Sequence, residues 1–504
     1  MEAEQHQLQK DYGTATDNWT KLKQKRTSLE SVWKDCSKLT LPYVFPEENT
    51  TEDTYYPTPY NSIGSSGVNA LASKLLLALL PPTSTFFRLL PFDDIMKGAT
   101  AEQEIALDKE LSKIEGDIIQ AIDTQGLRVN LFEALKMLVV TGNTMLFKVP
   151  GKGFKVYSPY QYVVQRDFVG NLVKIITKEK VSKSVLPKEI VDALPAEEGP
   201  KKDVNKDEVD IYTTVIRQNL NKFISYQEAN GIVIESTIEN HNEDILPYIP
   251  LRWTSSTDED YGRGLVEQYL GDLRSLEGLS QVIVEGTAIM SKVIFGKKPS
   301  STTRINDLTD ALNGEFVVGD LEKDISVLRV DKNSDFSIPL QLQQVLESRL
   351  SKAFLNLEIR QSERTTATEV RATQNELNAV LGGTFSVLAN DFQLPTIKIL
   401  LDEIEPKTKK IADPAIVAGI SSISREKDLQ DLTVMAQAIS QFGPEAVNKY
   451  MDLQGYFTQY ATSLGIDPDK VVRSKGEVQQ IEQAEQQAMQ AEQQQQQMQQ
   501  MQQG

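Results

Sequence analysis

Histidine and cysteine, the side chains that most often perform catalysis or bind metals, are scarce in this sequence. The two histidines, His6 and His241, stand far apart, and His6 lies in a polar N-terminal stretch. They offer neither an acid–base pair nor a metal-ligand spacing. The single cysteine, Cys36, allows no internal disulfide and no cysteine zinc site. It sits in a helix-like stretch without an adjacent basic partner, which favours a packed thiol over a nucleophile.

Carboxylates occur in two clusters that could bind a divalent cation through their oxygens. The first is Asp258-Glu259-Asp260 and the second is Asp467-Pro468-Asp469. We favour a solvated turn or a helix cap at both places. The nearest counterpart of a phosphate-binding loop, Gly151-Lys152-Gly153, lacks the rest of that pattern and is typical of a turn. The sequence therefore indicates no enzyme and no cofactor.

A basic stretch stands out in an otherwise acidic chain. Lys297 and Lys298, followed by Arg304, have no acidic residue between them. Such a group could contact DNA or an acidic partner protein. A solvated basic turn explains it equally well.

The composition of the chain argues against several classes of protein. The chain has 504 residues, with 53 Lys and Arg against 71 Asp and Glu, and a formal net charge of −18. Phosphate repels so acidic a chain, which argues against a protein that reads DNA sequence but not against one that surrounds DNA. The N-terminus lacks the apolar core of a secretory signal, and the longest apolar run, Leu71–Leu80, is too short to span a bilayer. We expect a soluble intracellular protein of about three domains.

Hydrophobic periodicity predicts helices in the N-terminal part of the chain and strands in the part that follows. Helices are expected over about 67–80, 107–122 and 131–140, where apolar residues recur every three or four positions. Residues 150–256 form a β-rich unit, interrupted by a solvated insertion at 187–207. The predicted strands are 155–157, 162–166, 172–177, 210–217, 223–227 and 232–238.

A long helix is predicted from Gly264 to Phe295, and three glycines interrupt it. Gly271, Gly278 and Gly286 are seven and eight residues apart, which places them on nearly one face. Each glycine costs a helix about 1 kcal/mol relative to alanine. The shared face therefore indicates close contact with another helix, although the glycines could simply loosen this one.

The second half is mainly helical. Further helices are predicted over 340–401, with an interruption near 360–366, and over 425–465. The last 28 residues contain fifteen glutamines, a composition typical of disorder. A weak seam at helical spacing, which includes Ile481 and Ala488, could instead hold a ring of helices.

Separated motifs along nearly the whole chain resemble the portal, or head-to-tail connector, proteins of short-tailed bacteriophages of the T7 type. The most specific is Tyr261-Gly262-Arg263-Gly264, followed by the segment 269–277, YLGDLRSLE. The others, in the same order along the chain, are Thr58-Pro59-Tyr60, the segments 67–75 (GVNALASKL), 132–136 (FEALK), 162–167 (YVVQRD) and 247–252 (PYIPLR), Leu381-Gly382-Gly383 and Gln393-Leu394-Pro395. The glutamine-rich tail departs from the family, so its role is the least defined.

The resemblance implies an α+β, mainly helical, portal-type fold with wing, stem, clip and crown. It also implies a homo-dodecameric ring at one capsid vertex, through which double-stranded DNA passes non-specifically. The implied partners are the terminase, tail adaptor and nozzle proteins, major capsid and scaffold proteins, and internal core proteins. No cofactor and no membrane is implied. The expected location is the portal vertex of the virion, after assembly in the host cytoplasm.

The same resemblance divides the chain. The wing comprises 1–260, helical at first and β-rich over 150–256, together with helices over 368–424. The stem helices are 261–295 and 336–356, and Gly271, Gly278 and Gly286 would pack against neighbouring stems. The remaining parts are the clip at 296–335, the tunnel loop at 357–367, the crown at 425–475 and a glutamine-rich helical barrel or disordered tail at 476–504.

Candidate contacts follow from this division. Arg360 and Arg364 in the tunnel loop, and Lys352 before it, are the candidate DNA contacts in the channel. An ordinary polar connection between helices is the competing interpretation of that loop. Lys297, Lys298 and Arg304 are the candidate clip contacts with partner proteins. The alternative function is a capsid scaffold or internal virion protein without a DNA channel, which would typically lack the β-rich middle.

Overall fold

The computed structural model of the chain describes residues 12–46, 55–81, 86–96, 101–185, 208–254, 259–291, 294–300, 304–312, 318, 325–328, 337–355, 383–384, 386–416, 432–439, 453, 455–457 and 460. The principal helices are α1 (Ala15–Lys25), α2 (Thr27–Lys38), α3 (Ile63–Leu79), α4 (Asp93–Met96), α5 (Ala101–Thr124), α6 (Leu127–Thr141), α7 (Leu265–Gln268), α8 (Leu270–Ser291), α9 (Ile305–Thr309), α10 (Ser337–Ala353) and α11 (Leu394–Ile404). The strands are β1 (Phe87–Pro91), β2 (Asn143–Lys148), β3 (Phe154–Tyr157), β4 (Tyr162–Arg166), β5 (Leu172–Ser182), β6 (Glu208–Asn219), β7 (Lys222–Ala229), β8 (Ile232–Asn242), β9 (Tyr248–Arg252), β10 (Ile294–Lys297), β11 (Ile325–Leu328) and β12 (Ala412–Ile416).

Two compact units make up this mixed helix-and-strand architecture. The first comprises residues 1–80 and 116–411, and the second comprises residues 81–115 and 412–504. In the second unit, β1 and β12 pair antiparallel. The segment 368–424 was expected to contribute wing helices, but its residues 412–416 form the strand β12. Pro414 disfavours a helix there but is tolerated in the edge pairing of a two-stranded sheet.

The five strands β4 to β8 form an antiparallel sheet in sequence order at the centre of the first unit. Strand alternation puts Val164 and Ile175 on one face, where they pack with Met145 of the three-stranded sheet β3-β2-β9. Helix α1 covers the other face, where Trp19 meets Tyr212 with ring centroids 6.0 Å apart. Because both faces are covered, the middle of this sheet is a core.

All six predicted strands of the β-rich unit are confirmed as β3 to β8. The strands β2 and β9 were missed. β2 is buried at nearly every position, so it lacks the alternation that identifies a strand. β9 contains Pro250, which weakens a strand prediction. The insertion at 187–207 lies outside the described residues.

The helices predicted near the start of the chain are confirmed as α3, α5 and α6, each longer than expected. The single helix predicted from Gly264 to Phe295 is wrong at two points. The helix breaks at Tyr269, between α7 and α8, and it ends at Ser291. Phe295 lies instead in β10, opposite Val327 of β11. Pairing with a distant strand has overridden the local helical periodicity there.

Within the ranges given above, no helix has both the length and the apolar character needed to cross a bilayer. The described residues also hold no group of three or more His, Cys, Asp or Glu side chains placed to bind a metal ion. The predicted tunnel loop, the glutamine-rich tail and most of the predicted crown lie outside the described residues.

Candidate functional site

Helices α8 and α10 pack against each other, and β10, α9 and β11 lie between them in the chain. We call the pair the strut. Across it, Arg349 Nη1 of α10 lies 3.1 Å from Asp272 Oδ2 of α8. Each helix also has a buried apolar side, which consists of Leu273 and Leu276 on α8 and Leu346 and Leu350 on α10.

Residues 55–62 form a segment without regular structure, the strap, which contacts both strut helices. The backbone N–H groups of Tyr60 and Asn61 donate to the two carboxylate oxygens of Glu277 on α8, at 2.9 and 3.2 Å. Asn61 Nδ2 donates to Glu347 Oε1 on α10 at 2.9 Å. Asn61 Oδ1 accepts from the first backbone N–H of α3 at 2.9 Å. Asn61 therefore joins three helices.

The C-terminal end of α10 is fixed to α3. Phe354 is fully buried, and a Cβ added to Gly67 would lie 2.7 Å from its ring. Leu355 has φ +52°, in the left-handed region that residues other than glycine seldom adopt. Its carbonyl accepts a hydrogen bond from Lys74 Nζ of α3. Phe354 and Leu355, the last described residues of this segment, are therefore held against α3.

One of the predicted DNA contacts, Lys352, lies at the same end of α10. Lys352 is exposed in the last turn of that helix. Arg360 and Arg364 lie outside the described residues. Their contact with DNA stays a prediction.

The predicted clip contacts follow the C-terminal end of α8 in the chain. Lys297 is the last residue of β10, Lys298 follows it, and both are exposed. Arg304 is exposed and directly precedes the short helix α9. Their contact with partner proteins also stays a prediction.

The glycines predicted to pack closely leave one face of α8 open. A Cβ added to Gly271 or Gly278 meets no atom within 4 Å. Val282, four residues after Gly278 and so on the same face, is 59% exposed. Gly286 lies further along α8 and is partly buried. At Gly271 and Gly278, the described part of this chain supplies no close helix contact.

The motif Tyr261–Gly264, which we call the anchor, fixes the root of the strut to the end of α6. The N–H of Gly262 donates to Asn143 Oδ1, and Asn143 Nδ2 donates to the Gly262 carbonyl, both at 2.8 Å. A Cβ added to Gly142 would lie 2.4 Å from Gly264 N. Gly142 also has φ +80° where it ends α6. Backbone therefore meets backbone here with no room for a side chain.

Arg26 is almost completely buried beside the anchor. Its Nη1 donates to the Tyr162 carbonyl at 2.6 Å and to Tyr261 Oη at 3.3 Å, while its Nε pairs with Glu30 at 2.8 Å. Burial lowers the pKa of Arg26, but Tyr261 and Glu30 outweigh that effect and the pKa is raised overall. Burial also raises the pKa of Tyr261, so an ionised arginine faces a neutral phenol. This network is structural.

The described acids of the 258–260 cluster are engaged with protein groups. Glu259 pairs with Arg263 at 2.8 Å, and Glu267 pairs with it from the other side at 3.0 Å. The hydrogen bond that Arg263 donates to Glu259 raises the pKa of Arg263, and Glu267 adds to the rise. Asp260 Oδ1 accepts from the backbone N–H of Arg166 at 2.6 Å. The other cluster, 467–469, lies outside the described residues.

Sequence reasoning missed the residues that connect these parts. Asn61 directly follows the Thr58-Pro59-Tyr60 motif, and Glu277 is the last residue of the 269–277 motif. Asn143 directly follows the glycine that ends α6. A polar residue at the boundary of a motif was the available signal, because such residues often bind backbone groups at chain reversals.

An apolar strut that is rooted in a β-rich unit, with a strand pair between its two helices in the chain, is a framework compatible with a structural connector. The chain belongs to the family of bacteriophage head to tail connecting proteins, whose pattern it matches over residues 13–472.

Its relatives include portal proteins of several bacteriophages. It is 34% identical over 478 residues to the portal protein of Escherichia phage T7, covering 92% of this chain and 88% of that protein. It is 34% identical over 483 residues to the portal protein of Enterobacteria phage T3, covering 93% and 89%. With the portal protein of Pseudomonas phage phiKMV it shares 28% identity over 485 residues, covering 92% and 93%. The resemblance of the motifs to this family is thus confirmed.

Proposed function

We propose that twelve copies of this chain form a ring at one capsid vertex and serve as the portal. The ring is the channel for genome packaging and ejection, and it binds the terminase first and the tail adaptor and nozzle proteins later. Family membership and the portal relatives support this role. The observation that supports a ring is the exposure of α8. One side of this helix is buried inside the chain, whereas its glycine face is open to a neighbouring copy.

The parts of the portal are assigned as follows. Residues 1–260 and 368–424 form the wing, the strut is the stem, and the strand pair β10–β11 with its connection is the clip. The crown is 425–475, and residues 476–504 form a helical barrel or a tail. The capsid, scaffold and internal core proteins surround the wing and crown, at the portal vertex of a virion assembled in the host cytoplasm.

The acidic balance of the chain suits a channel. A wall that bound phosphate tightly would stall a moving duplex, whereas a net charge of −18 repels it and keeps it centred. A few cations, with Lys352, Arg360 and Arg364 as candidates, then give weak and transient contacts. DNA slides through such a channel without being read.

Negative-stain electron microscopy and native mass spectrometry of the full chain test the ring. We expect rings with a central hole and a mass near that of twelve chains. Gly278→Leu should prevent ring formation without unfolding the subunit, because its Cβ enters open space in the monomer. Gly116→Leu is the matched control, since that glycine also lies within a helix and also faces open space. Equal ring formation by both variants would contradict packing through the glycine face.

Pull-downs test the clip assignment. Lys297→Glu combined with Lys298→Glu should weaken capture of the terminase or of the tail adaptor, because both lysines are exposed beyond the strut. Lys180→Glu combined with Lys222→Glu, at exposed positions of β5 and β7, is the control for the same change in net charge. Unchanged capture of both partners would show that Lys297 and Lys298 do not lie in the interface.

In vitro packaging tests the channel assignment. Lys352→Glu should change the rate at which the assembled ring passes DNA, because it adds repulsion beside the duplex. The Lys180→Glu ring should package like the unmodified one. Identical rates for both variants would place Lys352 away from the DNA.

A further inference from the structure

The strap holds aromatic side chains in exposed positions. Tyr55 is 82% exposed and Tyr60 is 52% exposed. The backbone of the strap is nevertheless fixed by its two hydrogen bonds to Glu277. Tyr60 Oη also donates to Glu285 Oε1 on α8 at 3.4 Å. The ring of Tyr60 is therefore pre-positioned at low entropic cost, as are the central aromatic residues of many protein interfaces, and Tyr55 extends the aromatic surface beside it.

An apolar row lies on α10 away from the strap. Ile338, Leu342 and Val345 recur at spacings of four and three, so they share one face. Their exposed fractions are 67%, 48% and 53%. Ile338 is nine residues from Glu347, the contact of the strap on this helix, which corresponds to about 180° around an α-helix. The row and the strap thus lie on opposite flanks of the strut.

The two surfaces also lie near each other in height along the strut. The row runs from Val345, two residues or about 3 Å before Glu347, to Ile338, nine residues or about 14 Å before it. A ring built by rotation about one axis brings one flank of each subunit against the opposite flank of the next. When the strut runs along that axis, residues of equal height meet. The strap of one copy then faces the row of its neighbour.

We propose that Tyr55 and Tyr60 of each subunit pack on the Ile338, Leu342 and Val345 row of the adjacent copy. The proposal rests on the ring described under the proposed function and identifies the contact that closes it. Tyrosine suits this position because its ring covers aliphatic side chains while its hydroxyl keeps a polar partner. The strap also borders the glycine face of α8, since Glu285, which accepts from Tyr60 Oη, lies seven residues after Gly278 and so on the same side of the helix. The two features together form one continuous surface for the neighbour.

Cysteine cross-linking in the full chain tests this contact. The native Cys36 is buried, and its thiol pKa is raised to about 12 by burial, with Glu267 and Asp35 adding to the rise, so it reacts slowly with maleimides. Tyr55→Cys combined with Leu342→Cys should give a ladder of covalent multimers with a short bis-maleimide. Tyr55→Cys combined with Leu340→Cys is the matched control. Leu340 is 45% exposed on the same helix but about 200° away from Leu342 around it.

The outcomes separate this contact from the ring. Rings in the microscope and a ladder specific to Leu342→Cys support the proposal. Rings without a ladder, or with equal ladders from both pairs, overturn the strap contact and leave the portal assignment standing. Folded monomers that form neither rings nor ladders overturn both. All three substituted positions are exposed, so the variants should fold like the unmodified chain.

Discussion

The anchor and the strut use the same residue type in opposite ways. At the anchor, Gly142 and Gly264 let two backbone segments of one chain touch, and Asn143 binds both polar groups of Gly262. On the strut, a Cβ added to Gly271 or Gly278 would meet no atom of the described residues within 4 Å. The anchor is thus complete within one subunit, whereas we propose that the open face of the strut contacts another copy. Stability should depend on the first region and assembly on the second.

The largest expected effect is on the stability of the anchor. Gly142→Ala places a methyl group 2.4 Å from Gly264 N at a residue with φ +80°. Overpacking and left-handed strain together should lower the free energy of unfolding by about 3 kcal/mol. Urea denaturation followed by circular dichroism measures this. Gly231→Ala, also at φ +80° but in open space, isolates the strain. Equal losses for both would show that the close approach contributes nothing.

Arg26→Met comes next in size. The substitution removes the partner of the Tyr162 carbonyl and of Glu30 while keeping most of the buried volume. Loss of these charge-assisted hydrogen bonds should destabilise the chain by about 2 kcal/mol. Thermal and urea unfolding provide the measurement. A variant as stable as the unmodified chain would mean that the network is not essential to the anchor.

The β-rich unit could be predicted from the sequence because its strands alternate and its turns are marked by glycine and asparagine. The strut helices could be predicted from periodicity, but not the change to strand at Phe295, which depends on pairing with Val327 about thirty residues away. The roles of the glycines could not be separated either. Gly142 and Gly278 look alike in a sequence, and only the neighbouring backbone distinguishes them. Asn61 and Glu277 were missed because their partners lie far along the chain.

A smaller effect concerns Cys36, on α2 in the same unit as the anchor. Burial, reinforced by Glu267 and Asp35, raises the pKa of its thiol from near 9 to about 12. The folded state therefore disfavours the thiolate. Stability from this group is complete below pH 9 and falls as the pH rises toward 12, by about 1 kcal/mol at pH 10.

The difference between the unmodified chain and Cys36→Ala isolates that contribution, because several buried tyrosines also have raised pKa values and are common to both proteins. The stability gap should shift in favour of Cys36→Ala between pH 8 and pH 10. A gap that does not change with pH would show that the thiol is accessible to water.

The smallest effect is expected at the ion pair across the strut. Arg349 is more than half exposed, so Arg349→Ala should cost about 0.5 kcal/mol or less in subunit stability. Raising the salt concentration should reduce even that difference. Urea titrations at two ionic strengths measure both quantities. A loss as large as that of Arg26→Met would place the strut among the regions that hold the subunit together, and the contrast with the anchor would fail.

Asn61 has a mechanical consequence. Its side chain and backbone connect α8, α10 and the start of α3 within a few ångströms. Sliding α8 along α10 loads the bonds to Glu277 and Glu347 in series through Asn61, so each bond carries the full load and the weaker one sets the force at which the joint fails. Such a joint is stiff against small shear and yields only beyond a threshold. Forces applied at one end of the strut are then transmitted to the body of the subunit rather than absorbed between the helices.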